Sequence, residues 1–337
     1  MRFAFTSEQR AFQREVRALL EKECTAADVR AAWEGDAFDR ARWGRLAAMG
    51  VIGMTVPEVH DGLGMDGVDL VLALEEAGRA CMPEPLLETT AVCAPLIAEV
   101  ASDEARAHWL PRLAAGEAIV TIAHAANGFA PHAHVADVIL VHRGASLYAF
   151  EREHVTLVEE PSVDGARRLF KIEWEPSEDA LLVDGEPGRA ALETAFDRGA
   201  LAAAAELVGV GARAIDLAAA YAVERHQFGK PIGSFQAVKH QLADALVAVE
   251  FARPAVYRAA WSVARDFPER GRDVSMAKAL ASDAAVVACR AALQVHGAIG
   301  YTKEHDLHLW LARGFALANA WGDPTRHRSR VTSAVMG

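Results

Sequence analysis

The chain has 337 residues, with 46 acidic side chains against 35 basic ones and a formal charge of −11. That balance excludes nucleic acid as a natural partner, because phosphate binding needs a net basic face. A hydrophobic share of 52% excludes a disordered chain and implies a large core, divided over two or three modules at this length. No run approaches the roughly 20 apolar residues that cross a bilayer. The opening Met1-Arg2-Phe3-Ala4-Phe5-Thr6 turns polar too soon for a signal peptide. Cys24, Cys81, Cys93 and Cys289 have neither paired nor metal-like spacing, which reads as reduced thiols in a cytoplasmic protein.

In chain order, residues 1–115 read as helical, with loops at Pro57 to Gly64 and Met82 to Pro85. Thr6 before Ser7-Glu8-Gln9 offers a capping box for the first helix. Between 116 and 187 the period changes. Ala118 to Ile122, Val138 to Val141 and Ser146 to Phe150 are short apolar runs separated by turn residues, and they predict strands. Thr156-Leu157-Val158 and Phe170-Lys171-Ile172 are expected to extend the same sheet. From 188 to 337 the chain is helical again, favoured by its alanine content. One helix is predicted over Asp197 to Arg225, with Leu201, Ala205, Val208, Ala212, Ile215, Ala219 and Ala222 on one face. A second starts near Phe235 and is expected to kink or end at Pro254. A third runs from Asp273, as N-cap, to about Gly297. The fold class is therefore mainly α with a small β module.

The most informative stretch is Tyr221-Ala222-Val223-Glu224-Arg225-His226-Gln227-Phe228-Gly229-Lys230-Pro231-Ile232-Gly233-Ser234-Phe235-Gln236. A helix ends, the chain turns through Gly229, Pro231 and Gly233, and another helix begins. The Arg225 fork suits a diphosphate, since guanidinium donates two parallel hydrogen bonds. The bland alternative places Arg225 against helix-terminal carbonyls and Phe228 in the core.

This segment closely resembles the acyl-CoA dehydrogenase family, and other segments share the resemblance. Val56-Pro57-Glu58 with Gly62-Leu63-Gly64 is similar to the family's N-terminal loop, followed by Leu74-Glu75-Glu76-Ala77-Gly78-Arg79 and Pro83-Glu84-Pro85-Leu86. Gln294-Val295-His296-Gly297-Ala298-Ile299-Gly300-Tyr301-Thr302-Lys303-Glu304 is similar to its C-terminal flavin loop, with Ala298 where a glycine is common. The resemblance implies an N-terminal helical domain, a middle β domain and a C-terminal four-helix bundle. It also implies FAD held across a subunit boundary in a dimer or tetramer, an acyl-CoA thioester substrate, and an electron-transfer flavoprotein or similar acceptor. Arg225 would face the diphosphate with Gln227 and Phe228 beside it, and Gln236 would sit near the adenosine half. Gln294, Gly297 and Gly300 would present amide and N–H groups to the neighbouring subunit's FAD.

Three family features are missing. The middle domain passes from Thr121-Ile122-Ala123-His124-Ala125-Ala126-Asn127-Gly128 almost directly to Ala136-Asp137-Val138, without the Trp-containing strand that lies against the flavin ring. Of the family's two locations for the proton-abstracting Glu, one reads Trp321 and the other aligns with Gly199. Ala200 stands where an orienting Arg is usual. Such a base contributes typically 10²–10⁴-fold to the rate.

Glu206 lies seven residues, about two turns, beyond Gly199 on the same helical stripe. Among Ala203, Ala204, Leu207 and Val208 its pKa should rise, as a base requires, unless it pairs with Arg213. Asp323 is a weaker candidate beside Pro324. His132-Ala133-His134 and His305-Asp306-Leu307-His308 lack co-ligands at metal spacing, so no metal is assigned. The basic run Arg326-His327-Arg328-Ser329-Arg330 reads as a solvated tail. The leading expectation is one subunit of a heteromeric acyl-CoA dehydrogenase, completing the FAD site of a fuller partner chain. The alternatives are a self-sufficient homo-oligomer using Glu206, or a scaffold that has lost FAD.

Overall fold

A computed structural model of the chain describes residues 4–337; the first residues of the start judged too polar for a signal peptide lie outside them. Thr6 and Gln9 close the expected capping box on α1 (Ser7–Glu23). Helices α2 (Ala26–Glu34), α3 (Arg40–Ala48) and α4 (Gly67–Ala80) follow, and the chain enters α5 (Ala94–Val100) through a π-helical stretch at Leu87–Cys93. Helix α6 (Asp103–Ala114) ends the N-terminal helical part.

The strands are β1 (Val120–Ala123), β2 (Ala130–Pro131), β3 (Val138–Arg143), β4 (Ser146–Glu151), β5 (Thr156–Glu160), β6 (Leu169–Glu173) and β7 (Leu181–Val183). They form two sheets rather than one. The first has the order β1-β3-β4-β7, with β1 parallel to β3 and Val120 beside Val138. The runs expected to extend it, β5 and β6, pair with each other and with β2 in a second sheet of order β2-β6-β5. The difference follows from exposure. β5 has no fully buried side chain, while β3 is an apolar strand covered on both faces near its start.

Helix α7 (Gly185–Glu224) starts twelve residues before the predicted Asp197. Its midsection, 199–211, is buried all round, so the single apolar stripe describes only its end, where Ala218 rather than Ala219 is buried. A short hairpin, β8 (His226–Gln227) and β9 (Lys230–Pro231), leads to α8 (Gln236–Ala264). Pro254 does not end α8. Its ring is exposed, as is Glu250, whose carbonyl loses the i−4 bond to water rather than to the core, while Ala252, Val256 and Ala259 keep the helix docked.

Helix α9 (Arg270–His296) begins before Asp273, which is not its N-cap; that carboxylate accepts from Arg258, Ser262 and Arg272. Helices α10 (Leu307–Asn319) and α11 (Pro324–Met336) complete the bundle. α7 packs on α4, α8, α9 and α10, and α9 packs on α8, α10 and α11. All four cysteines are free and buried. Among the described residues no helix is long and apolar enough to cross a membrane.

Candidate functional site

Stacking of Tyr221 on His296, with ring centroids 4.5 Å apart, joins the ends of α7 and α9. The Ile232 N–H donates to the Arg225 carbonyl at 2.8 Å and fixes the start of α8 beside them. Arg225, Gln227, Phe228, Gln236, Gln294, Gly297 and Gly300 therefore gather at one end of the bundle. All but Gly300 are exposed. The bland reading of Phe228 as a core residue is wrong: its ring is 92% exposed at the hairpin tip, in a left-handed backbone with φ 54°. Arg225 has no hydrogen-bonding or ionic side-chain partner among the described residues. Gly297, at φ 64° with open space where a Cβ would lie, presents its backbone without obstruction.

Gly199 and Trp321 meet. A Cβ built on Gly199 would stand 2.2 Å from Cδ2 of the Trp321 indole, so the ring occupies the space of the missing side chain. Trp321 is fully buried, and its backbone is left-handed at φ 57°. Such a conformation is uncommon for a bulky residue and persists because its surroundings fix it. The Trp321 N–H donates to Asn127 Oδ1 at 2.6 Å, and its carbonyl accepts from His327 Nε2 at 2.9 Å. Lys278, also fully buried, donates from Nζ to the Ala318 and Gly322 carbonyls at 3.0 and 3.2 Å, and to Ser282 Oγ at 3.1 Å. Burial pulls this ammonium down to about 7.

His124 lies 5.2 Å from the indole ring. Burial pulls both His124 and His327 down to about 4, so they are neutral imidazoles at pH 7. His124 donates from Nε2 to the Leu192 carbonyl and accepts from Ala126 N–H. His124 and Phe196 form the inner wall of an open cleft of about 670 Å³, whose rim carries His142, Arg189, Arg326 and Arg330.

The basic run is therefore no solvated tail. It lies in α11, where Arg326 and Arg330 stack on Phe196, Arg330 pairs with Asp197, and His327 is buried. Asp323 is occupied as the N-cap of that helix, accepting from Arg326 N–H at 2.7 Å. Glu206 is buried as expected, and desolvation raises it to about 7 against the opposing pull of Arg313. It makes no pair with Arg213. Its charged neighbours are instead Arg313, Glu88, Arg167 and Asp164. It sits about 10 Å along the helix from Gly199, at ~1.5 Å per residue.

Sequence reasoning missed this buried ionic layer. Arg42 pairs with Glu84, Arg167 with Glu88, and Arg313 with Asp164, each across the boundary between helical or β segments. The partners are 42, 79 and 149 residues apart, so no local spacing announces them. Asn127, His124 and Lys278 were missed for the same reason.

The acyl-CoA dehydrogenase N-terminal domain profile matches residues 6–117, and the C-terminal domain profile matches residues 186–330. The chain is 34% identical over 333 residues to the acyl-CoA dehydrogenase IpdE2 of Mycolicibacterium smegmatis, covering 98% of this chain and 99% of that protein. Its fold is that of the glutaryl-coenzyme A dehydrogenase–glutaryl-CoA complex, at TM-score 0.89 and 23% identity over 100% of this chain and 97% of that one. It is similarly close to a chain of the ChsE4–ChsE5 complex from Mycobacterium tuberculosis, at TM-score 0.87 and 23% identity over 100% and 99% of the two chains. The chain belongs to the acyl-CoA dehydrogenase family, flavoenzymes whose cofactor is FAD.

Proposed function

We propose that this acyl-CoA dehydrogenase family member acts as one subunit of a two-chain enzyme that desaturates an acyl-CoA thioester. In this reading it completes an FAD site whose ring pocket and catalytic Glu belong to a fuller partner. The carrying observation is the Trp321 indole packed on Gly199. Both positions that would hold a proton-abstracting Glu are filled by one buried ring that accepts no proton.

The two halves of the chain differ in their fit to FAD. At the bundle end, an unpaired guanidinium at Arg225, an exposed ring at Phe228 and the open backbone at Gly297 suit the diphosphate and adenosine half. Gln227, Gln236, Gln294 and Gly300 would add amide and N–H donors there. The segment from β1 to β3 lacks the family's Trp-containing strand, and the cleft beside it, walled by His124 and Phe196, is open and rimmed by His142, Arg189, Arg326 and Arg330. Bound FAD would supply the hydride acceptor of the reaction. The chain's own residues hold the cofactor's polar half.

A two-chain assembly agrees with the likeness to chains from the ChsE4–ChsE5 complex and a Tcur3481–Tcur3483 steroid acyl-CoA dehydrogenase. A bulky acyl-CoA such as a steroid-derived thioester, with electron-transfer flavoprotein or a similar acceptor downstream, belongs to the same proposal, as does cytoplasmic location. The division into 1–115, 116–187 and 188–337 is proposed on the run of elements. The test is purification with and without the partner. Alone, the chain should lack the flavin absorbance band and acyl-CoA oxidation; stoichiometric FAD with turnover would overturn the assignment.

A second reading, a homo-oligomer using Glu206, draws on the buried carboxyl raised to about 7. It requires Glu206→Gln to abolish turnover while leaving the flavin spectrum intact.

A further inference from the structure

On the side of the molecule formed by α1, α4, α7 and α10, three guanidinium groups converge on a cleft of about 320 Å³. Two are already committed. Arg17 makes a bidentate pair with Glu76 at 2.8 Å, and Arg79 pairs with Asp216. Arg213 is half-buried and has neither a hydrogen bond nor a carboxylate partner among the described residues; its contact is the Trp310 ring, 5.6 Å away. Guanidinium carries five donors in a fixed fork, and polar groups taken from water normally find partners.

We propose that this cleft binds a small oxyanion, a phosphate or a carboxylate group, through Arg213. The walls are prepared for it. Trp310 is held by its indole N–H, which donates to the Arg79 carbonyl at 2.9 Å, and Leu20, Ala26 and Ala80 supply an apolar surround. Burial and the adjacent Arg79 push the Arg213 pKa down while Asp216, Glu21 and Asp306 push it up, and an oxyanion on the guanidinium fork would add to the second set. Glu76 is taken by Arg17 and Gln13. Glu21, exposed at the rim, is the remaining acidic lining residue and opposes the anion. The site lies apart from the FAD-facing end and does not depend on the proposed function.

The experiment is thermal unfolding of the full-length chain in inorganic phosphate, sodium acetate or sodium chloride at matched ionic strength. At tenfold over half-saturation, phosphate should raise the wild-type midpoint by roughly 2 °C beyond chloride. Arg213→Gln should lose that increment. General stabilisation by exclusion of phosphate from the protein surface would move both proteins alike. Acetate matching phosphate assigns a carboxylate ligand, and acetate behaving as chloride assigns a phosphate. Glu21→Gln, which leaves Arg213 in place, should lower the half-saturating concentration. The proposal is overturned if neither anion exceeds chloride in the wild type, if the increment survives Arg213→Gln, or if Glu21→Gln weakens binding.

Discussion

Gly199→Ala should destabilise the protein, although the same change at an ordinary buried helical position stabilises it. Replacing a mid-helix Gly by Ala is worth about 1 kcal/mol in helix propensity. Here the new Cβ would stand 2.2, 2.4 and 2.5 Å from three indole carbons of Trp321. Non-bonded carbons sit at about 3.5–4.0 Å, so the ring or the helix must shift by more than about 1 Å. The indole cannot swing aside, because Asn127 and His327 hold its backbone and Lys278 holds the loop on either side. Overpacking costs typically about 1–3 kcal/mol, and this contact belongs at or above the upper end. The net expectation is a loss of about 2 kcal/mol, a fall of roughly 3 °C in midpoint for a chain of this length. Urea unfolding of Gly199→Ala, Trp321→Ala and the double variant gives the coupling directly. In the Trp321→Ala background, Gly199→Ala should return to neutral or stabilising, an interaction energy of about 2–3 kcal/mol. A Gly199→Ala protein more stable than wild type would refute the packing of the two vacant positions on each other.

Arg225→Ala should weaken FAD retention in the assembled enzyme by roughly 10- to 100-fold, from ~1.5–3 kcal/mol per charge-assisted bond, measured by flavin release on dilution. Its urea midpoint should stay put, because the exposed side chain has no hydrogen-bonding or ionic partner among the described residues. Glu206 is raised to about 7 in the folded state from 4.5, so the fold binds more protons than the unfolded chain between those values. Its favourable contribution is complete below pH 4.5 and is lost as pH rises through 7. Relative to wild type, Glu206→Gln should therefore gain up to about 3 kcal/mol between pH 4.5 and 8, at ~1.4 kcal/mol per unit. A pH-independent difference would show that the carboxyl is solvated. Asp164→Asn strands the buried Arg313 guanidinium and should cost about 3–5 kcal/mol. Arg168→Gln, at the exposed Glu159 pair, should cost under about 1 kcal/mol by the same denaturation assay.

The helical character of both ends, the first capping box and the strand positions were legible because each follows from residues within one turn or one strand. The turn from Tyr221 to Gln236 was legible for the same reason, its Gly and Pro residues being adjacent. What was not legible is pairing at a distance. The assignment of β5 and β6 to their own sheet depends on which strand they find, and the ionic layer joins residues 42 to 149 positions apart. Pro254 misled because its cost depends on whether the freed carbonyl faces water. Arg326 to Arg330 misled because composition alone cannot tell a tail from a helix whose aliphatic stems lie on Phe196. Trp321 could be read as a lost carboxylate, but its role as the filler above Gly199 needed both helices in place.

The four buried thiols have an operational consequence. Burial lifts Cys24 and Cys289 to about 12 and holds Cys81 and Cys93 above their ordinary range. Only thiolate reacts with alkylating agents, so each sulfur is silent until its surroundings open. Three report on the N-terminal helices and one on α9. Alkylation rates followed site by site would show whether these two regions breathe together or separately, with no label added to the chain.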